Sequence, residues 1–503
     1  MTNLSGVPFP SKKVNVASDG PQGGGMDSRR NQISSKQLIP DGYKQTEVGV
    51  IPDEWDAISI GDTATLIGDG IHSTPVYDSN GNYYFVNGNN INNGSIKLTE
   101  NTKRVNESEY QKHKKNINNR TLFLSINGTI GNLCFYNNEP IILGKSAAYI
   151  NIRNTADVQY MYHALSCEAT QQRFEDGLTG STIQNLGLGT IKSTLIPFPK
   201  LKEQTAIANA LSDVDLLLSE LEKLIAKKQA IKTATMQQLL TGKTRLPQFA
   251  YVNSDESTEG ELKNKAIHQT SSPTSNQTTG TTPSQGKKKG TKPSELGEIP
   301  KDWEVVAFGD LFEQTIHRKK LHPDVLTTFV GMQDVSENAQ LVTQKQVPFY
   351  KISSGFTYFE KGDVLVAKIT PCFENGKGSQ THILETKIGF GSTEFHILRA
   401  KNLADSNFIY FWTIRDCLRK ELAGEMVGSA GHRRVPFLAI QNYQIPCPPS
   451  KEEQIAIATI LSDMDEEIQA LSKRLSKTRQ IKQGMMQELL TGRTRLPVCT
   501  EAK

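Results

Sequence analysis

Apolar residues recur at alternating three- and four-residue spacing in two stretches of this chain, the pattern of an amphipathic helix with a narrow apolar seam. At ~1.5 Å per residue, each pattern predicts a helix of about 40 residues, roughly 60 Å long. Matching seams can be buried against each other, so we predict that the helices pair as an antiparallel coiled coil. The residues expected to form this contact are Leu211, Leu218, Leu221 and Ile225 of one helix and Leu461, Ile468, Leu471 and Leu475 of the other.

The two stretches are copies of each other. Residues 201–247 and 451–497 align without a gap at an offset of 250, and 24 of 47 positions are identical. A second repeat precedes each copy, with TEVGVIPDEW at residues 46–55 and SELGEIPKDW at residues 294–303. The chain therefore contains two tandem modules, each opening with a G-x-I-P-x-x-W segment and closing with a long helix. The centres of the modules differ, which suggests one kind of task performed on two different targets.

Between the repeated ends, each module has short runs of β-branched and aromatic residues separated by Asn, Gly and Asp. The runs TLFLSI, AAYINI, DVLVAKI and TEFHILRA read as strands, and residues 158–174 and 408–422 each read as one helix. We therefore predict the fold class α+β, with two tandem mixed α/β domains, each followed by its long helix. Ser450 and Glu453 have the spacing of a capping box, and Gly242 and Gly492 are placed to end the helices.

The expected boundaries follow from these segments. We predict a disordered leader at residues 1–45, the first domain at 46–200, the first helical spacer at 201–247 and a flexible linker at 248–293. The second domain is expected at 294–449, the second helical spacer at 450–497 and a tail at 498–503. The linker is rich in Ser, Thr, Gln, Gly and Pro, so it cannot offset the entropy of folding.

Composition excludes several classes of protein. No apolar run approaches the ~20 residues that span a bilayer, and the N-terminus lacks the apolar segment of a secretory signal. Six scattered cysteines without a C-x-x-C pair argue against a zinc site and a disulfide framework, and favour a reducing cytoplasm. The net charge is only +4, so nucleic-acid binding would have to come from local basic patches.

Catalytic motifs are weak. The chain has no Asn/Asp-Pro-Pro-Tyr/Phe motif of base methylation. Gly242-Lys243-Thr244 has Gln237 where a phosphate-binding loop needs its first glycine. Asp363, Glu385 and Lys387 could together bind Mg²⁺ and activate water, but such triplets are common and the first module has no counterpart.

The repeated segments resemble conserved regions of one known protein family. The segments IPFPKLKEQTAIANALSDVD and IPCPPSKEEQIAIATILSDMD, each followed by LLTGKTRLP or LLTGRTRLP, resemble conserved regions of the specificity (S) subunit of type I restriction–modification systems. GVIPDEW and GEIPKDW resemble the start of that family's target recognition domains. The resemblance covers residues 46–497, with the linker outside it.

The resemblance implies a bacterial defence protein that is not an enzyme by itself. Each target recognition domain would read one half of a bipartite, asymmetric site in double-stranded DNA. The paired helices would set the spacer and dock two adenine-N6 methyltransferase subunits, and restriction/translocase subunits would complete the complex. This chain would bind no cofactor and no metal, while partner subunits would use S-adenosylmethionine, ATP and Mg²⁺. A cytoplasmic location is expected.

The helices have two interpretations. They are either a dimerisation device or a ruler, because readers related by a two-fold axis would contact half-sites about one helical turn of DNA, ~34 Å, or somewhat more apart. The whole chain likewise has an alternative function, as a stand-alone DNA-binding or scaffolding protein that uses the same duplicated frame.

Basic clusters are the candidates for DNA contact, because Arg and Lys neutralise phosphates and Arg can also read guanine in the major groove. The alternative interpretation of each basic cluster is a solvent-exposed charged surface that does not contact DNA. Two glycine-serine segments, residues 179–185 and 427–433, occupy equivalent places before the final strand of each module. We expect them to lie near DNA. The alternative is that they are structural loops that hold the final strand in place. The candidates are Lys114, Lys115, Lys145, Ser181 and Gln184 in the first module, and Arg318, Lys319, Lys320, His432, Arg433 and Arg434 in the second.

Overall fold

The computed structural model describes residues 39–92, 94–180, 184–251, 289–352, 354–429 and 431–497. The predicted leader up to residue 38, residues 252–288 of the predicted linker, the tail and Ser181 lie outside these ranges. The chain divides into two compact units, one of residues 1–204 with 489–503 and the other of residues 205–488. The end of the second module's helix therefore belongs to the first unit, and most of the first module's helix belongs to the second.

The first unit combines several small sheets with short helices. Its strands are β1 (Tyr43–Thr46), β2 (Gly49–Pro52), β3 (Asp56–Ser59), β4 (Ala64–Asp69), β5 (Tyr83–Val86), β6 (Ile91–Asn92), β7 (Ser95–Ile96), β8 (Arg104–Val105), β9 (Thr121–Ser125), β10 (Leu133–Phe135), β11 (Ile141–Leu143), β12 (Ala147–Ile152), β13 (Leu178–Thr179), β14 (Asn185–Leu186) and β15 (Leu195–Phe198). Its helices are α1 (Ile60–Thr63), α2 (Glu107–His113), α3 (Val158–Ser166), α4 (Glu168–Asp176) and α5 (Leu188–Ser193). The long helix α6 (Leu201–Leu240) starts here and continues into the second unit.

A four-stranded sheet of order β10-β9-β12-β4 lies at the centre of the first unit. All five residues of β9 and all six of β12 are buried, as expected for apolar runs covered on both faces. Phe123 packs with Val86, Ile141 and Tyr149 in the adjoining core, which joins this sheet to the three-stranded sheet β11-β5-β8. Strand β9 is therefore a buried inner strand of the unit, beside β12, and we call β9 its central strand below.

The second unit has a related set of elements. Its strands are β16 (Thr291–Ser294), β17 (Gly297–Pro300), β18 (Glu304–Ala307), β19 (Leu326–Val330), β20 (Lys345–Pro348), β21 (Thr357–Glu360), β22 (Val364–Ala367), β23 (Gly378–Gln380), β24 (Ile388–Gly391), β25 (Phe395–Leu398) and β26 (Gln444–Cys447). Its helices are α7 (Pro247–Ala250), α8 (Ser406–Thr413), α9 (Asp416–Gly424), α10 (Phe437–Asn442) and the long α11 (Lys451–Leu489). Fully buried β22 is the centre of a sheet of order β23-β22-β25, and a second sheet has the order β20-β19-β24-β21.

These elements confirm the predicted α+β class, and the four strands named from sequence are present. The prediction of a single helix at residues 158–174 and at 408–422 is wrong, because each region folds as two helices. The chain leaves helical geometry at Cys167, with φ −70° and ψ 149°, and at Arg415, with φ −69° and ψ 131°. Just before each break, Ser166 or Thr413 donates its hydroxyl to a carbonyl of its own helix.

The strands also extend slightly beyond the predicted domains. Strand β1 begins at Tyr43 and β16 at Thr291, each three residues before the domain start expected from sequence. In both places the strand pairs with the next one as an antiparallel hairpin that leads into the I-P-x-x-W segment.

The long helices pair antiparallel within the second unit, as predicted. Four ion pairs join them, and the residue number falls along α11 as it rises along α6. The pairs are Asp215–Lys482 at 2.5 Å, Glu222–Arg479 at 2.6 Å, Lys228–Glu467 at 2.7 Å and Lys232–Asp465 at 2.6 Å. Asp215 and Lys232 occupy the repeat positions of Asp465 and Lys482, so the first and last pairs are equivalent. Helix pairing therefore obeys the same pseudo-two-fold relation as the sequence repeat.

The eight seam candidates lie along these helices. Leu211, Leu221 and Leu461 are buried, while Leu218, Ile225, Ile468, Leu471 and Leu475 are half-buried. Gly242 and Gly492 follow the helices with φ +68° and +72°, the left-handed geometry of a helix C-cap. No helix in the described ranges is both long and apolar enough to cross a bilayer.

In the second unit, the segment after α6 is fastened by a buried arginine. Arg245 donates to both carboxylate oxygens of Glu453, at 2.8 and 2.7 Å, and to both of Asp302, at 2.5 and 2.8 Å. The Arg245 and Glu453 side chains are only 9% and 2% exposed. Burial alone would raise the pKa of Asp302, but hydrogen bonds from Arg245 and Lys289 outweigh it and lower that pKa. We call this cluster the second clasp.

The first unit contains the equivalent cluster around Arg495, which we call the first clasp. Arg495 donates to both oxygens of Glu203, at 2.5 and 2.9 Å, and to Glu54 at 2.7 Å. The hydrogen bond from Arg495 lowers the pKa of Glu54. Here Glu203 also accepts a hydrogen bond from Trp55 Nε1 at 3.0 Å. The first clasp is more open, because the Arg495 side chain is 36% exposed.

The predicted capping box at Ser450 and Glu453 forms only in part. Ser450 Oγ accepts a hydrogen bond from the backbone N–H of Glu453 at 3.2 Å, which is the expected half of that motif. The Glu453 carboxylate, however, binds Arg245. A nearby buried guanidinium is a stronger partner for a carboxylate than a neutral backbone N–H. The repeated Glu is therefore part of the clasp.

Candidate nucleic-acid interface

In the second unit, the glycine-serine segment forms a hairpin attached to the end of the central strand β22. Val427 and Arg434 exchange backbone hydrogen bonds at 3.0 and 2.9 Å. Val435 N–H then donates to Lys368 O at 2.9 Å, and Thr370 N–H donates to Arg433 O at 2.9 Å. A Cβ at Gly428, where φ is +129°, would lie 2.7 Å from His432 O, so this turn requires glycine. The hairpin therefore presents consecutive basic residues at a fixed edge of the sheet.

Two carboxylates orient the arginines of this hairpin. Arg434 Nε and Nη2 donate to the two oxygens of Glu394 at 2.9 and 2.8 Å. Arg433 Nη2 makes one longer contact of 3.4 Å with Glu374. The hydrogen bond from Arg434 lowers the pKa of Glu394 against the smaller opposing effect of burial. Both arginine side chains are 44% exposed, so each can still reach a ligand.

The first unit has the same arrangement with different side chains. Strands β13 and β14 form the hairpin, Leu186 N–H donates to Ile126 O at 3.0 Å, and Asn185 bridges to Asn127 beyond the end of β9. Asn185 therefore occupies the place that Arg434 has in the second unit. Exposed Gln184 precedes it, and Ser181 lies outside the described residues.

Lys145 lies at this same edge of the first unit. Its neighbour Ser146 accepts a hydrogen bond from Ile126 N–H at 3.0 Å, and Ile126 in turn is bonded to the hairpin. The exposed Lys145 and Gln184 thus lie close in sequence to residues that bond the same Ile126, although they are far apart from each other in sequence.

The other basic candidates lie at the opposite ends of the central strands. Lys114 and Lys115 follow α2, close to Asn116, whose carbonyl accepts a bond from Asn151 beside Thr121 at the start of β9. Strand β9 itself, from Thr121 to Ser125, spans roughly 13 Å at ~3.3 Å per residue, and the hairpin is attached beyond its other end. The structure does not join them to Lys145 and Gln184.

The second unit shows the same separation. Lys319 pairs with Glu360 at 2.5 Å, just before β22 starts, and the exposed Lys320 follows it. Arg318 lies over the rings of Phe349 and Phe390, with guanidinium-to-centroid distances of 5.2 and 4.7 Å. This cluster and the Arg433–Arg434 hairpin are therefore at opposite ends of one strand.

Glu394 and Glu374 are functional candidates that sequence reasoning missed, because only basic residues are expected to contact the phosphates of DNA. A usable signal was present for Glu394, since an acidic residue directly precedes strand β25, which neighbours β22. The clasp residues were missed as well, although Arg, Glu and the acidic residue before Trp recur in both modules.

The residues considered for a metal-dependent nuclease have other partners. Asp363 is 3% exposed and accepts two hydrogen bonds from Arg399, at 2.8 and 2.7 Å. Glu385 accepts a hydrogen bond from Gln346 at 2.6 Å. Within the described ranges, no group of three His, Cys, Asp or Glu side chains could hold a metal ion.

A comparison with known protein families finds one family model that matches both modules. A family model described as the type I restriction modification DNA specificity domain matches residues 52–233 and 300–480. Each match begins at the proline of the I-P-x-x-W segment and ends within a long helix. The two matched segments together cover more than half of the chain.

Individual relatives agree with this match. The EcoEI specificity subunit of a type I restriction enzyme from Escherichia coli is 30% identical over 165 residues, which are 32% of this chain and 28% of that protein. The MjaVIII specificity subunit of a type I restriction enzyme from Methanocaldococcus jannaschii is 22% identical over 460 residues, 89% of this chain and 94% of that protein.

A solved structure supports the fold. The S subunit of a type I restriction–modification system from M. genitalium aligns with a TM-score of 0.50 at 16% identity, covering 87% of this chain and 96% of that one. At this identity the likeness concerns the fold alone. The family match over both modules decides the assignment: this chain belongs to the type I restriction–modification DNA specificity family.

Proposed function

We propose that this chain is the DNA-recognition subunit of a type I restriction–modification complex and reads a bipartite, asymmetric site. The observation that carries the proposal is the pair of equivalent hairpins, each fixed to the end of a central strand. Their backbone frame is shared, but Arg434 stands in one where Asn185 stands in the other. Arg favours guanine and Asn favours adenine in the major groove, so two such readers recognise different half-sites.

The remaining candidates fit supporting roles in this proposal. His432, Arg433, Lys145 and Gln184 belong to the hairpin edges and contact DNA there. Ser181 stays a candidate for DNA contact from its sequence alone. Arg318, Lys319, Lys320, Lys114 and Lys115, at the far ends of the central strands, bind phosphates and add affinity without sequence information. The alternative of a stand-alone scaffold has no specific observation in its favour.

We infer that the paired helices set the spacer between half-sites and dock methyltransferase subunits. The eight seam residues named from sequence are the pairing contacts in this proposal. An outer face of α6 supports docking, because Leu217, Leu224 and Ile231 recur every seven residues and are 39%, 38% and 42% exposed. Apolar residues at heptad spacing suit a further helix from a partner. The methyltransferase would supply S-adenosylmethionine chemistry, and restriction subunits would use ATP and Mg²⁺.

The Arg433→Ala, Arg434→Ala double variant tests the recognition site. We expect weaker binding of target DNA and relaxed sequence preference in the second half-site only, because both side chains belong to the second unit's hairpin. The measurement is the methylated-adenine motif and the dissociation constant, at fixed salt, of the complex with its methyltransferase.

The Lys319→Ala, Lys320→Ala variant is the matched control, since it removes the same charge at the other end of β22. It should weaken binding and reduce the salt dependence while leaving the motif intact. Relaxation confined to the first half-site in the arginine variant would contradict the assignment of the second domain.

A further inference from the structure

We propose that Arg434 and Glu394 act as one unit that reads a guanine in the second half-site. Arg434 makes the base contact, and Glu394 is the positioning residue that fixes the guanidinium. This proposal rests on the proposed function, because it assigns one base position within the recognition site inferred above. Neither the sequence repeat nor the family match distinguishes this pair from other surface charges.

The hydrogen bonds of Arg434 leave a suitable donor pair. An arginine has five N–H donors. Nε and Nη2 each use one on Glu394, and Nη1 uses one on His432 O at 3.3 Å. Among the described residues, one N–H therefore remains on Nη1 and one on Nη2. Donors on two neighbouring nitrogens can pair with the O6 and N7 acceptors that guanine presents in the major groove.

Glu394 is itself held in place. It directly precedes β25, its backbone carbonyl accepts a hydrogen bond from Lys368 N–H at 2.9 Å, and its own N–H donates to Ser392 Oγ at 3.2 Å. The carboxylate is anchored to the same strand end that carries the hairpin. A guanidinium fixed by two hydrogen bonds to such a group has lost most of its rotamer freedom before DNA arrives, which lowers the entropic cost of a specific contact.

The local charge distinguishes a base from a phosphate as the ligand. A carboxylate beside Arg434 offsets its positive charge and repels an approaching phosphate, whereas the guanine edge is uncharged. Arg433 differs, because its ion pair among the described residues is a single 3.4 Å contact with Glu374, so more of its charge remains available. We therefore assign Arg434 to base reading and Arg433 to the phosphate backbone.

The contribution of the pair to folding stability is limited by solvent, because the Arg434 and Glu394 side chains are 44% and 25% exposed. A bidentate arrangement on a sharply turned loop instead fits a contact whose geometry matters for recognition.

The test is the methylated-adenine motif produced in cells by the complex of this chain with its methyltransferase. The variants are Arg434→Lys, which keeps the charge but loses the planar fork, and Glu394→Gln, which keeps the shape but loses the charge. Both should relax the same single guanine of the second half-site, with a roughly tenfold or greater loss of discrimination there. The first half-site and the spacer should be unchanged, and the double variant should resemble either single one.

Glu304→Gln is the matched control, because Glu304 forms an exposed ion pair with Lys292 at 2.8 Å in the same unit. It should leave the motif unaltered. Thermal unfolding of each variant separates a folding defect from a recognition defect, and Arg434→Lys gives a second, milder test if Glu394→Gln folds poorly.

Three results would overturn the proposal. They are a second half-site without guanine, an unaltered motif in Arg434→Lys and Glu394→Gln, and relaxation at a guanine in Arg434→Lys but not in Glu394→Gln, which would remove the role of Glu394. If the unmodified chain directs no split motif at all, the proposed function fails first. A split motif that neither variant changes would leave the proposed function standing and reject this inference alone.

Discussion

Arg245→Ala should lower the free energy of unfolding of the second unit by about 3–5 kcal/mol, because it leaves Glu453 buried without its cation. The Glu453 side chain is 2% exposed and receives two hydrogen bonds from Arg245. Guanidinium unfolding followed by tryptophan fluorescence measures the change, since Trp303 and Trp412 of this unit are both buried. Arg245→Lys should give an intermediate loss, because a lysine keeps the charge without the fork.

The equivalent change in the first clasp gives a graded comparison. Arg495→Ala should cost about 1–3 kcal/mol, because Glu203 keeps its hydrogen bond from Trp55 and the site is more open to water. Lys292→Ala, which removes an exposed ion pair, should cost no more than about 1 kcal/mol. An Arg245→Ala variant as stable as Lys292→Ala would show that the buried clasp does not hold the segment after α6.

The loss of folding stability of the second unit at low pH should also depend on Arg245. Hydrogen bonds from Arg245 and Lys289 lower the pKa of Asp302 in the folded state below 3.8. A lowered carboxyl pKa adds stability that is present above the ordinary pKa and is lost as pH falls through the folded value. Arg245→Ala should therefore weaken this part of the acid dependence.

Trp55→Ala and Trp303→Ala should each cost about 3–5 kcal/mol, because both side chains are fully buried, at 0% exposure, beside the clasps. The milder phenylalanine variants discriminate between the two sites. Trp55 Nε1 donates to Glu203 at 3.0 Å, whereas Trp303 Nε1 has no hydrogen-bond partner among the described residues. Trp55→Phe should therefore cost about 1–3 kcal/mol more than Trp303→Phe.

The two phenylalanine variants control for each other, since the lost volume is the same in both. Unfolding is measured separately for the two units by hydrogen exchange, because the tryptophans belong to different units. A Trp303→Phe variant that loses as much stability as Trp55→Phe would contradict the asymmetry between the clasps.

The long helices, their ends and the buried central strand can be predicted from the sequence because they depend on local periodicity. The seam of α6 and α11, the glycines after them and the buried run of β9 each follow from one short pattern. The breaks at Cys167 and Arg415 are not visible in the sequence because apolar residues continue across them and neither a proline nor a glycine marks them. Periodicity detects a helical face but not a change of helix direction.

The sites were less predictable because their partners are distant in sequence. Arg245 and Glu453 are separated by 208 positions, and no local pattern joins them. The hairpin arginines were found from their charge, but Glu394 lies 40 positions away from Arg434 and was not considered. For the clasps alone the repeat offered a signal, since Arg245 and Glu453 recur as Arg495 and Glu203, and a residue present in both modules is a candidate for a contact made in both.

The most direct test of the account is a genome-wide map of methylated adenines in cells that express the partner methyltransferase with and without this chain. We expect a split motif with two different halves that is present only with this chain, since recognition would reside in its two domains. A motif that is unchanged by this chain, or the absence of any new motif despite a stable complex, would contradict the assignment of sequence recognition to it.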